Sequence, residues 1–545
     1  MASLMKTKSI KKNFIYNIIY QLFLLVAPLV VTPYVSRVLG AESVGLYSYA
    51  NSISSYFLLV AVLGTVTFGQ RAVSYVQDDI EARSRVFWEV FILRLLTSII
   101  TLALYIGFTF LFVEEGQFVL YLILALNILN VIFDITWFMQ GMEEFGKISV
   151  RSIIFRILSI VSVFLFVKDS NDLWLYVLFM TAYTVLGNIT LWLYLPKNIC
   201  KVKGIRPFRN FKTVLQLFIP SIAIQLYTVL DKSMIGWFAD GYAENGYYEQ
   251  SEKIIKMATT AVTALGTVMI PRISKIYADG DFEKLKYYMY KSYQFIWLLA
   301  IPIMLGLVII SDIFVPVFFG AGYDKCKILI PVFSILSIMI GFSNVTGNQY
   351  LIPVGKQNIM TMTVFIGAAA NVVFNLILIP HFYSVGAAIA SVIAETCVTV
   401  SGFIYLKRKK MIELKPILTC SWRYWIAGGI MFAVLYPIQY LLPDTVWSLA
   451  ALIVGGIALY FLALILLKDS FVMDAIRKGL QLMHIRKKDA ESSKNSEKEN
   501  ECEAAQEEVT DESGIVNSSA DDPIAADKEN QTINGSAPSD KNESG

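Results

Sequence analysis

The chain is poor in the residues that do catalysis. It has two histidines in 545 residues, His381 and His484, too far apart to suggest a metal site or a triad. Its five cysteines (Cys200, Cys326, Cys397, Cys420, Cys502) are scattered without CxxC or metal-like spacing, and each reads as a small apolar filler. No GxxxxGK[ST] loop occurs, so no built-in ATPase is expected. No cofactor, metal or nucleic-acid partner is indicated, and no enzyme activity. Charge is scarce as well: 16% of residues are charged, where soluble proteins carry about 25%. With 56% hydrophobic residues, the composition is that of a bilayer protein.

The scarce charge is unevenly placed. From Asp489 to Gly545 sixteen acids face four lysines, a balance of −12 in a chain whose total is +3. That segment, 489–545, is nearly free of aromatics and reads as a disordered acidic tail. It follows a basic juxtamembrane segment, 469–488.

A membrane span needs about twenty apolar residues, and the hydropathy divides the remainder into about fourteen. The expected fold is all-α, with a six-helix bundle over 1–196, a second over 212–406 and two further helices over 420–468. The N-terminal apolar run reads as a first span rather than a removable signal. Cations alternate from loop to loop: Lys6 to Lys12, then Arg71, Arg83 and Arg85, Lys147 and Arg151, Lys197 to Lys212, Arg272 to Lys291, Lys356, and Lys407 to Lys415. The loops between are nearly bare of them. The positive-inside rule assigns the basic set, and both termini, to the cytoplasm.

An echo links the two bundles. Gly40-AESV-Gly45 and Gly241-YAEN-Gly246 share a glycine spacing, an aromatic after the second glycine and an isoleucine eight residues beyond it. This pattern and the even number of intervening spans predict a parallel pseudo-repeat about an axis along the membrane normal.

Charges inside spans cost about 2.5–3.5 kcal/mol at the bilayer centre on insertion scales, so they usually face a watery cavity or a substrate path. Three groups stand out. Arg94, Asp134 and Arg156 lie toward the cytoplasmic side of the first bundle; the arginines are some 8–12 Å inside at about 1.5 Å per residue. They either form a vestibule for an anionic headgroup, since guanidinium matches phosphate oxygens, or snorkel and pair with Asp134. The second group is Asp231 and Lys232 in span seven, with Lys253 and Lys256 in span eight. It reads as a lumen-facing site, or as a segment neutralised locally by the i,i+4 pairs Glu249–Lys253 and Glu252–Lys256. The third is Glu395 near the midplane of span twelve, grouped with Asn371 and Asn375 of span eleven; it is either a protonated structural residue or a proton- or sodium-coupling carboxylate. Gly386, Ala390 and Ala394 recur every four residues and permit close helix packing. Pro28, Pro33, Pro220, Pro271, Pro302 and Pro331 predict bends.

Three stretches resemble the polysaccharide-type oligosaccharide flippases of the multidrug/oligosaccharidyl-lipid/polysaccharide exporter superfamily. They are PLVVTPYVSRVLGAESVGLYSYANSISSYF (Pro28–Phe57), the block from Asp231 to Lys275 with its D-K-x-x-I-G start and closing P-R-I-S, and LIPHFYSVGAAIASVIAE (Leu378–Glu395). The resemblance implies translocation of an undecaprenyl-pyrophosphate-linked oligosaccharide to the outer leaflet of the bacterial cytoplasmic membrane by alternating access. Arg94, Arg156, Lys232, Lys253 and Lys256 become headgroup-binding candidates, and Glu395 and Asp231 ion-coupling carboxylates. Its implied partners are membrane lipid, the lipid-linked oligosaccharide, a polysaccharide polymerase and glycosyltransferases. A multidrug/cation antiporter of the superfamily typically relies on an acid in the first bundle, whereas the first span here offers Asn17 and Gln21. A lipid II flippase has an arginine-rich first span, whereas here Arg37 falls only at its exit. A membrane glycosyltransferase needs a large external loop, and none is present.

Overall fold

The computed structural model describes residues 10–474 together with 476, 477 and 481. The acidic tail, most of 469–488 and Lys6 and Lys8 lie outside the described residues. Among the described residues every regular element is helical. In chain order the helices are α1 (Ile10–Val62), α2 (Thr65–Tyr75), α3 (Ile80–Phe112), α4 (Phe118–Phe133), α5 (Thr136–Gly141), α6 (Phe145–Phe166) and α7 (Leu173–Leu191). After a linker come α8 (Phe211–Phe238), α9 (Ala243–Thr263), α10 (Leu265–Ala278), α11 (Phe282–Phe318), α12 (Cys326–Ser334) and α13 (Leu336–Asn344). A π-helical turn, Val345–Leu351, precedes α14 (Gln357–Arg408), α15 (Leu414–Thr419), α16 (Trp422–Gln439) and α17 (Val446–Leu466).

Among the described residues ten helical stretches are long and apolar enough to cross a membrane, or up to twelve if each of two bent pairs is one span. The bends are 47° between Gln225 and Thr228 in α8 and 41° between Thr263 and Val268 at the α9–α10 junction. The second has a covalent cause. A proline ring displaces the carbonyl four residues earlier, and Pro271 projects its clash back to residue 267.

Two helices are too long to be single rods. The 53 residues of α1 would span about 80 Å at 1.5 Å per residue, against a hydrocarbon core of about 30 Å. Helical geometry fails inside α1 at Gly40 (φ 75°, ψ 172°) and inside α14 at Tyr383 (φ 48°, ψ −122°). The chain folds back at Tyr383, because Asn375 and Ser391 both donate to one carboxylate, that of Asp231. Glu244 pins this turn: Oε2 accepts from Ser384 Oγ at 2.5 Å and from Ser384 N at 3.2 Å, and Oε1 pairs with Lys325 Nζ at 2.5 Å. The four-residue stripe works as expected. Ala390 and Ala394 are fully buried, and a Cβ on Gly386 would collide with the backbone at Leu378.

Apolar cores form on both sides of the linker. Leu39, Val44, Tyr105, Leu124, Ile128 and Val177 belong to one, and Ile235, Ile255, Phe319, Leu329, Phe333 and Ala388 to the other. The last two helices pack on α11: Tyr460 Oη donates to Leu298 O at 3.0 Å, and Ile301 lies where a Cβ on Gly428 would point. Large apolar residues such as Ile100, Leu104 and Val454 are left exposed, as a lipid-facing surface requires.

Candidate functional site

The α8–α9 hairpin brings five charges into one ladder. Lys232 Nζ lies 2.5 Å from Glu249 Oε2 and 3.0 Å from Glu252 Oε2. Lys253 Nζ lies 3.2 Å from Glu249 Oε1, and Lys256 Nζ 2.7 Å from Glu252 Oε1. The i,i+4 pairs expected within α9 are therefore both formed. What the spacing does not show is Lys232 arriving from α8 to bridge the two glutamates. Three lysines against two glutamates leave one surplus positive charge, and exposure rises along the ladder from 14% at Lys232 to 29% at Lys253 and 58% at Lys256. Ser48, in the part of α1 beyond Gly40, donates to Glu249 Oε2 at 3.0 Å. The ladder thus touches the first bundle.

Asp231 precedes Lys232 and points elsewhere, since consecutive helical residues are about 100° apart. It is 2% exposed and caged. Tyr248 Oη and Asn375 Nδ2 each donate at 2.5 Å, Asn371 Nδ2 donates at 3.0 Å, and Ser391 Oγ completes the set. The two asparagines grouped with Glu395 by sequence proximity therefore serve Asp231. The Oδ1 atom of Asn375 is buried without a hydrogen-bond partner among the described residues. Glu395 accepts from Ser343 Oγ at 3.3 Å and lines a separate cavity of about 220 Å³ with Asn344, Thr346 and Asn348. The π-helical turn runs beside it, and such turns are frequent at functional sites.

In the first bundle, Arg94 is 2% exposed and directs Nη2 to Val131 O at 3.0 Å and to Asp134 Oδ2 at 3.5 Å. The pairing alternative thus describes Arg94. Arg156 lines a cavity of about 450 Å³ bounded by α1, α5, α6 and α7. Arg151, which the alternation of cations counts with a basic loop, lines the same cavity from within α6. Its Nη1 donates to Asn188 Oδ1 at 2.6 Å, and Asn188 Nδ2 in turn donates to Asn130 Oδ1 at 2.8 Å. An arginine five residues before another was the available signal. Tyr248 and Ser48 also escaped notice, the first within the G-Y-Y of the echo and the second as an uncharged residue.

The echo glycines face each other. A Cβ on Gly45 would collide with the carbonyl of Tyr242, and one on Gly246 with the carbonyl of Ala41. The contact is reciprocal at a fixed offset of 201 residues, the offset that also separates Ser48 from Glu249. Nearby, Gln250 Nε2 donates to Ser36 Oγ at 3.0 Å, Tyr242 N to Glu42 Oε1 at 2.8 Å, and Arg37 Nη2 to Val317 O at 2.5 Å.

Long apolar helices, fold-back turns and inset charge clusters together define a multi-pass membrane transporter. Residues 10–277 match the family described as "Polysaccharide biosynthesis protein". An Escherichia coli K12 relative, "Putative O-antigen transporter", is 23% identical over 74% of this chain and 98% of its own. The Staphylococcus aureus "Capsular polysaccharide biosynthesis protein CapF" is 22% identical over 73% of this chain and 99% of its own. Among solved structures, "Lipid II flippase MurJ, inward closed conformation" has a TM-score of 0.67 at 18% identity, covering 85% of this chain and 100% of that one. An inward-facing multidrug resistance transporter of the MOP superfamily has a TM-score of 0.55 at 14% identity, over 72% of this chain and 94% of its own; both likenesses concern the fold. Over residues 10–277 the chain matches the polysaccharide biosynthesis family.

Proposed function

We propose that this protein flips undecaprenyl-pyrophosphate-linked oligosaccharide units from the cytoplasmic to the outer leaflet for surface polysaccharide synthesis. The observation that carries the reading is the ladder Lys253–Glu249–Lys232–Glu252–Lys256, a surplus of positive charge inside a helical hairpin that contacts the other bundle. A pyrophosphate entering there exchanges the lysines' carboxylate partners for its own oxygens, with Lys253 and Lys256 as the accessible members. Arg156 adds a second cation, and Arg94 supports it by neutralising Asp134.

The layout supporting this reading has fourteen spans, with α1 and α14 each counted as two that turn at Gly40 and Tyr383. The reciprocal Gly45–Tyr242 and Gly246–Ala41 contacts support a parallel pseudo-repeat of bundles 1–196 and 212–406, rocking about that contact. The basic loops favour cytoplasmic termini. Asp231 is the preferred ion-coupling carboxylate: its cage offers a carboxylate, the unpartnered Asn375 oxygen and two hydroxyls, a donor set suited to a hard cation. Glu395 is the alternative. The lumen is suited to anions, which disfavours a cationic-drug antiporter. A lipid II flippase shares the fold but has an arginine-rich first span; here that span carries Arg37 alone, at its exit.

Reversing both Lys253 and Lys256 to glutamate is expected to abolish surface polysaccharide while leaving membrane insertion intact. Normal polymer output from a well-expressed double variant would remove these lysines from the mechanism.

A further inference from the structure

We infer that the cavity within the first bundle is a binding site for the pyrophosphate of a lipid-linked ligand, anchored by Arg151 and Arg156. The identity of the lipid rests on the flippase reading; the anion site rests on geometry.

The charge balance comes first. Asp134 is the one carboxylate among the described lining residues, and it is already engaged. Arg94 approaches Oδ2, while Thr136 donates to Oδ1 through N at 2.9 Å and through Oγ1 at 2.5 Å. With Arg94 cancelling Asp134, the two guanidinium groups of Arg151 and Arg156 remain. A charge of +2 matches the two ionised oxygens of a pyrophosphate diester.

Donor geometry points the same way. The Nε atoms of Arg151 and Arg156 are buried and have no hydrogen-bond partner among the described residues. Buried donors without acceptors are costly, and the forked guanidinium donates to phosphate oxygens in pairs. Arg151 is held from behind through Asn188 to Asn130, which fixes its orientation before a ligand arrives. Gln140, Ser152 and Tyr183 add neutral polar groups to the wall.

The rest of the wall favours a lipid over a free anion. Leu24, Ile148, Phe155 and Met180 line the same cavity, and inorganic phosphate has no use for them. On α6, the adjoining surface carries Ile154, Ile157 and Leu158, 50%, 45% and 43% exposed. A prenyl chain can lie there while its headgroup is held inside. A volume of about 450 Å³ is within the range of small-ligand sites, roughly 300–1,000 Å³. Arg151 and Arg156 therefore form a receiving site for the headgroup within the first bundle, and Arg94 is a positioning residue.

The test uses the full chain in nanodiscs of zwitterionic lipid, titrated calorimetrically with a synthetic short-prenyl pyrophosphoryl-monosaccharide. Inorganic pyrophosphate and the prenyl-monosaccharide lacking pyrophosphate are the comparison ligands. Arg151→Gln and Arg156→Gln are each expected to weaken binding by about tenfold or more, on the scale of a lost charge-assisted contact. Thr184→Glu puts a carboxylate at the exposed rim; it disturbs no buried packing and is expected to weaken binding comparably, so loss of binding is separable from misfolding. Neither comparison ligand is expected to match the full one. Unchanged affinity in all three variants, with wild type binding, overturns the pocket and leaves the flippase reading standing. No binding by wild type overturns both. Inorganic pyrophosphate binding as tightly as the lipid overturns the lipid assignment.

Discussion

Replacing Lys232 by methionine should be the most damaging single change in the ladder. Lys232 is 14% exposed, and its two carboxylate partners are 12% and 13% exposed. Methionine keeps most of the volume and removes the charge, so Glu249 and Glu252 lose the cation between them and face each other across the gap. Removing one partner of a buried pair costs about 3–5 kcal/mol. Partial exposure and the remaining lysines put the expected loss at the lower end, about 3 kcal/mol. Lys256→Met is the internal control. Its lysine is 58% exposed and belongs to an i,i+4 pair worth about 0.3–0.5 kcal/mol. Reversible SDS-induced unfolding of the purified protein reads both losses, and a double-mutant cycle isolates each pair. The coupling between Lys232 and Glu249 should exceed about 1.5 kcal/mol, and that between Lys256 and Glu252 should stay below about 0.5 kcal/mol. Glu249→Gln in the Lys232→Met background should recover part of the loss, since the repulsion between the two carboxylates is then gone. If Lys232→Met is no worse than Lys256→Met, the ladder is a surface ion-pair row and the claim that it is an inset charge device fails.

Gly246→Val should block the close approach of the bundles, because its Cβ meets the Ala41 carbonyl. In a cysteine-free background, oxidative cross-linking of Ser36→Cys to Gln250→Cys is expected to fall about tenfold, corresponding to roughly 1.4 kcal/mol; unchanged cross-linking would show that the contact tolerates a side chain. Asp231→Asn preserves the size of the caged group and removes its charge. Lipid translocation in proteoliposomes should then lose its response to an imposed sodium or proton gradient while the protein remains folded. A retained response would exclude Asp231 as the coupling group and leave Glu395.

The sequence makes the helical, membrane-spanning character plain because hydropathy is a local property, and the i,i+4 pairs of α9 were legible for the same reason. The fold-backs were harder. Gly40 and Tyr383 interrupt helices that otherwise run on, and only the echo and the expected span lengths hinted at a turn. Partners from distant helices were invisible. Asn371 and Asn375 lie nearer to Glu395 than to Asp231 in the chain, yet the reversal at Tyr383 and the packing of α14 on α8 bring them to Asp231. Arg151 was hidden because the loop-to-loop alternation of cations counts it with Lys147, although it lies within α6 and lines the cavity.

Asp231 and Lys232 show why such a sequence reading stops where it does. The sequence presents them as one polar dipeptide, and as one anomaly in an apolar span. A helix separates their side chains by about 100°, so Asp231 enters a cage of donors from α9 and α14 while Lys232 enters the ladder on α9. Which face leads where depends on the helices that pack against each side, information held 17 to 20 residues away for Lys232, whereas three of the four donors to Asp231 lie 140 to 160 residues away and Tyr248 alone lies 17 away. The nearer set could be anticipated from a hairpin; the farther set needed the fold. Adjacency nevertheless has a mechanical consequence. The backbone that carries Asp231 also carries Lys232, and the 47° bend lies only a few residues before both. A change in that bend moves the caged carboxylate and the bridging lysine together. This gives the coupling and substrate-binding roles proposed for these two residues a shared lever.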